Sequence, residues 1–167
     1  LIGSFNQPEA VIADTAFLQT LPDKEWINGL SEILKYAAIR DSSIFDEAKI
    51  FTEQDKSNID RIKLHSIINK SIRIKAEVVK EDEFESGVRA YLNFGHTFAH
   101  ALEKASKFSE ISHGEAVFLG MLAAKKLSEE IFSIHLGDPF SPFKKLYSYS
   151  VQKKDFDTDS LNTVMKS

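Results

Sequence analysis

The stretch NIDRIKLHSIINKSIRIKAEVVKED, residues 58–82, decides between two folds. Its isoleucines and valines are β-branched and would suit a strand. Its length argues the other way, because strands seldom exceed about ten residues whereas helices of twenty are ordinary. Ile59, Ile62, Ile67, Ile74 and Val78 approximate an apolar stripe that a helix can turn toward a core. Residues 58–82 therefore read as one long amphipathic helix, and the charged run EDEFESG closes it at Gly87.

The same pattern extends outward on both sides. Pro22 and Asp23 start a helix, with Asp23 as its N-cap, and Trp26, Leu30, Ile33, Leu34 and Ala37 follow at helical spacing. SSIFDEAKIF, residues 42–51, reads as a short helix. VRAYLNFGHTFAHALEKASKF (88–108) and SHGEAVFLGMLAAKKLSEEIF (112–132) read as two more, with Gly95 and Gly114 near their starts. From Leu136 the chain turns irregular around Pro139 and Pro142, and DTDSLNTVMKS (157–167) reads as a last helix capped at Asp157 or Asp159. AVIAD, residues 10–14, bounded by Pro8 and Asp14, is the one strand candidate. The expected fold is thus mainly α, a multi-helix domain with one short strand at its N-terminus.

Composition sets the outer limits. The chain has 167 residues, enough for one domain with a substantial core, and a formal net charge of −4. That balance lacks the basic footprint of a nucleic-acid binder. No apolar run approaches the roughly 20 residues needed to cross a bilayer, and no basic-then-apolar leader opens the chain. There is no cysteine, so disulfides and thiolate metal sites are excluded, and a cytoplasmic location is the expectation. Any metal must be held by His, Asp or Glu.

Three polar clusters do not follow from packing. In SEILK, Glu32 and Lys35 lie three apart and share a helix face, which ordinarily means a solvated ion pair. In HTFAH, His96 and His100 lie four apart, the spacing at which a helix can aim two imidazoles at one ion. Thr97 stands where a zincin-type protease would have glutamate, so that chemistry is excluded. In SHGEA, His113 sits where a helix begins. His65 and His135 read as solvent-facing and without a role. A catalytic zinc site needs three protein ligands and one open position. Glu32 with two of His96, His100 and His113 would supply it, and spacing alone leaves open which two.

GLSEILKYAAIRD (29–41), IKAEVVKEDEFESGVRAYLNFGHTFAHALE (74–103) and HGEAVFLGM (113–121), with the opening LIGSFNQPEAVIAD, resemble the C-terminal metal-binding domain of the 3-dehydroquinate synthase family, within the sugar phosphate cyclases. The resemblance runs from Leu1 to about Leu127. It implies conversion of 3-deoxy-D-arabino-heptulosonate 7-phosphate to 3-dehydroquinate and phosphate in the shikimate pathway, with NAD as a recycled oxidant. The implied divalent metal is Zn²⁺, or another such as Co²⁺, on Glu32, His96 and His113. His100 and Asn93 would meet the substrate phosphate, Lys35 its hydroxyls, and Lys75 with Arg89 its carboxylate; Glu85 would be a further acid of the site. Residues 1–14 would be the crossover strand from an NAD-binding domain, and 15–167 the helical metal- and substrate-binding domain. The sequence contains no G-x-G-x-x-G, so the chain alone is expected to be an incomplete, inactive fragment of an enzyme that is a homodimer when whole. A sister cyclase of the 2-deoxy-scyllo-inosose or 2-epi-valiolone synthase type, a glycerol-dehydrogenase-like enzyme, and a non-catalytic metal-binding helical module are the competing expectations.

Overall fold

The computed structural model describes residues 8–106 and 111–147. Within them run six α-helices: α1 (Asp23–Ile39), α2 (Ser43–Glu47), α3 (Ile50–Glu53), α4 (Arg61–Glu81), α5 (His96–Ala105) and α6 (His113–Phe132). Tight 3-10 turns at Thr15–Thr20, Lys56–Asn58, Val88–Asn93 and Ser141–Leu146 complete the regular structure. The protein is mainly helical.

The strand expected at residues 10–14 is not there. Val11 and Ile12 are 74% and 93% exposed. A strand exists through its pairing with a neighbour, and no ladder forms anywhere among the described residues. Residues 1–7 and the helix expected at 157–167 lie outside the described residues.

The long helix forms where its sequence placed it, as α4. Asp60 caps it, its carboxylate accepting from the backbone N–H groups of Ile62 and Lys63 at 3.0 and 3.1 Å. The buried stripe is Leu64, Ile67, Ser71, Ile74 and Val78, at alternating steps of three and four. Ile62 is not part of it and is 85% exposed; five residues before Ile67, it is rotated far from that face at about 100° per residue. Asp23 does not cap α1. Pro22 occupies that position, and Asp23 sits in the first turn, 3.1 Å from Lys56 Nζ. Residues 42–51 break into α2 and the start of α3.

The largest departure is in residues 88–108, expected as one helical stretch. Val88–Asn93 is a 3-10 turn, Gly95 then takes φ 82°, and α5 starts afresh at His96. That left-handed φ is open to glycine at little cost. Asn93 and His96 therefore lie on either side of a break, not on one helical flank.

The core is built by Leu30 and Leu34 of α1, Ile44 of α2, Ile67 of α4, and Phe118 and Met121 of α6, all fully buried. Each such side chain contributes about 1.5–3 kcal/mol. α6 is the central helix, packing on both α5 and α1. It approaches them at glycines: a Cβ on Gly114 would lie 2.3 Å from Asn28 Cα of α1, and one on Gly120 only 2.1 Å from the Gly95 carbonyl oxygen. Ser112 fastens the start of α6, its hydroxyl donating to Asn28 Oδ1 at 2.7 Å and accepting from the Glu115 N–H at 3.3 Å.

Candidate metal centre

Glu32, His96 and His113 each offer a ligand atom, and these atoms all lie within 4.8 Å of one another. They come from α1, α5 and α6, which the glycine contacts of α6 hold together. His96 points Nε2 toward Glu32 Oε1 at 3.6 Å. The His96 and His113 rings are 5.6 Å apart at their centroids. One carboxylate and two imidazoles form a donor set that suits a divalent ion of the zinc type.

The surroundings prepare these donors. Lys35 is only 4% exposed, and its Nζ lies 2.7 Å from Glu32 Oε2. The pair expected from its spacing to be a solvated surface bridge is instead anchored at the wall of the site. It holds one carboxylate oxygen and leaves the other toward His96. Burial, then the nearby Lys35 ammonium, hold the His96 imidazole below the usual histidine range, against the pull of Glu32. His96 is thus neutral at neutral pH, the form in which an imidazole nitrogen can accept a metal. Burial, and after it the Glu32 charge, push the Tyr36 hydroxyl up to about 12, so Tyr36 stays protonated.

His100 lies one turn beyond His96 on α5, exposed, with its ring 5.9 Å from that of His96. Asn93, before the break, donates from Nδ2 to Glu85 Oε1 at 2.8 Å. Glu85 itself has φ 57°, a left-handed conformation unusual for a side-chain-bearing residue, held in the 82–87 loop. Arg89 is half-buried, its Nη1 donating to the Glu83 carbonyl. Lys75 is exposed on α4. The triad Glu32, His96 and His113 converges, with Lys35 and His100 beside it. Lys75, Glu85, Arg89 and Asn93 sit on α4 and the segment that follows it, which packs back on α4 and α1. His65 is exposed and 3.2 Å from Asn69 Nδ2, and His135 is exposed beside Glu129 at 3.4 Å.

Asp82 was not singled out from the sequence, yet it organises this segment. Its carboxylate accepts from the backbone N–H groups of Ser86 at 2.8 Å, Gly87 at 2.7 Å and Arg89 at 3.0 Å. These bonds, that of Arg89 first, hold its carboxyl down at about 2, against 3.8 ordinarily. A depressed native value means that the stabilisation is complete above pH 3.8 and fades as the pH falls toward 2. Asp82→Asn is therefore expected to be less stable than wild type at neutral pH, with a gap that closes in acid. Denaturant titrations of both proteins across that range check it; a pH-independent gap would count against the assignment.

Glu103 is the other residue missed. Its Oε1 lies 2.9 Å from His113 Nδ1. The signal was present in the sequence: His96, His100 and Glu103 stand at i, i+4 and i+7, on one face of α5.

The sequence model of the family described as "3-dehydroquinate synthase C-terminal" matches residues 29–167. A 3-dehydroquinate synthase of Bacillus cereus (strain B4264) is 42% identical over 167 residues, covering 99% of this chain and 46% of the relative. One of Bacillus thuringiensis (strain Al Hakam) is 41% identical with the same coverage. The chain thus spans about half the length of the curated relatives it matches. Among solved structures, it is similar to ValA, the 2-epi-5-epi-valiolone synthase of Streptomyces hygroscopicus subsp. jinggangensis 5008, with NAD+ and Zn2+ bound. That likeness has a TM-score of 0.73 at 23% identity, covers 92% of this chain and 43% of the other, and bears on the fold.

Proposed function

The chain belongs to the 3-dehydroquinate synthase C-terminal family, and we propose that it forms the metal- and substrate-binding half of a 3-dehydroquinate synthase. The observation that carries this reading is the convergence of Glu32, His96 and His113 from three separate helices. Those residues would hold Zn²⁺ or a similar divalent ion such as Co²⁺. The chemistry such an ion supplies when bound is Lewis-acid polarisation of substrate hydroxyl oxygens. NAD, held by a nucleotide-binding half, would supply the hydride chemistry.

The chain's own side chains would bind and orient a sugar phosphate that carries a carboxylate. Arg89 offers a planar fork suited to that carboxylate, on a backbone already fixed by Asp82. Lys75 would add a second cation. His100 and Asn93 would take the phosphate, and Lys35, its ammonium held in place by Glu32, would donate to a hydroxyl. Holding one substrate conformer against fixed charges is the protein's main contribution to such a reaction.

The reading is tested by joining this chain to the NAD-binding half of the Bacillus cereus relative and supplying 3-deoxy-D-arabino-heptulosonate 7-phosphate with NAD and Zn²⁺. Phosphate release and 3-dehydroquinate formation are expected, with none from the chain alone. Turnover only of an uncarboxylated sugar phosphate would point to a sister cyclase. In the active fusion, Arg89→Ala is expected to raise KM about ten- to a hundredfold, the worth of one charge-assisted contact of about 1.5–3 kcal/mol. An unchanged KM would remove Arg89 from the carboxylate site.

A further inference from the structure

We propose that Glu103 is a positioning residue that sets which nitrogen of His113 faces the metal. The inference rests on the metal reading above. His113 is the first residue of α6, and its side chain is 52% exposed. An imidazole so placed is free to swivel and to exchange tautomers unless something holds it. Glu103 is what holds it: its side chain is only 13% exposed, and Oε1 meets Nδ1 at 2.9 Å.

An ionised carboxylate only accepts hydrogen bonds, so in the neutral imidazole this contact places the proton on Nδ1 and leaves the lone pair on Nε2. His96 is arranged in parallel. Its Nδ1 faces the Phe94 carbonyl oxygen at 3.4 Å, and its Nε2 faces Glu32. Both rings are therefore held through Nδ1, one by a backbone oxygen and one by a side chain. Glu103 also sits seven residues after His96 on the same helix. α5 thus supplies one ligand directly and orients another across the gap to α6. A carboxylate behind a ligating histidine fixes its orientation and raises its basicity.

The test uses the 167-residue chain as wild type, Glu103→Gln and Glu103→Ala, with two readouts. Zinc titration is expected to give a Kd about 10–100-fold higher in both variants, as loss of such a partner typically does. Nitrogen-15 spectra of the metal-free chain are expected to show His113 protonated on Nδ1 in wild type and mixed or Nε2-protonated in Glu103→Ala. Thermal melts separate these effects from loss of fold, and the near-isosteric Gln variant carries the test if Ala does not fold. Variants that bind zinc within twofold of wild type overturn the role of Glu103 and leave the metal site standing, as does a wild-type His113 protonated on Nε2. Failure of wild type itself to bind zinc overturns the metal reading, and this role with it.

Discussion

His96→Ala is expected to lower zinc affinity roughly a hundred- to a thousandfold while the helices persist. Structural zinc sites with four ligands bind with apparent free energies of about 10–16 kcal/mol, so one ligand is worth about 2.5–4 kcal/mol. His96 is the choice because it lies near both other donors, 3.6 Å from Glu32 Oε1 and with its ring 5.6 Å from that of His113. Its side chain is 16% exposed and packs at the start of α5, so truncation removes little of the core. Isothermal titration and far-ultraviolet circular dichroism check the two halves of the expectation. Wild-type affinity in the variant would disprove the centre. Loss of helicity together with zinc would mark a structural metal, not a catalytic one.

Gly120→Ala is expected to damage both the fold and the site. The added Cβ would lie 2.1 Å from the Gly95 carbonyl oxygen and 3.0 Å from the Ala99 nitrogen, both backbone atoms that cannot swing aside. α5 and α6 would have to part, at a cost at or above the roughly 1–3 kcal/mol usual for overpacking. His96 adjoins Gly95 and His113 heads α6, so their spacing would widen with the helices and zinc affinity would fall. Gly29→Ala is the control. It lies inside α1 with nothing within 4 Å of its added Cβ, and better helix propensity makes it neutral or stabilising by up to about 1 kcal/mol. Thermal midpoints of the two variants are expected to move apart by several degrees. Coincident melts would show that the α5–α6 contact tolerates a side chain.

Much of the helix pattern was legible because it is local. The stripe of α4 appears as steps of three and four, and Asp60 and Ser112 cap their helices by reaching backbone N–H groups two or three residues on. Errors arose where the outcome depended on a distant neighbour. AVIAD has strand composition but no ladder partner among the described residues. Residues 88–108 carry helical spacing throughout, yet the chain breaks at Gly95, whose position is dictated by Met121 and Gly120 on α6. Glu32 and Lys35 have the spacing of a surface ion pair, and only the packing around α1 makes Lys35 a buried anchor.

The helical class, the family and the residues from which a metal centre could be drawn were all readable along the chain. These follow from patterns along the chain: periodicity, caps, and motifs at set intervals. The resemblance already grouped Glu32, His96 and His113; packing in three dimensions set how closely they meet, and it alone placed Glu103 behind His113 and tied the backbone of Arg89 to Asp82. Distances across helices depend on how closely their axes approach. Here that approach is set by backbone contacts at Gly114 and Gly120, interactions between residues far apart in order that no local pattern encodes.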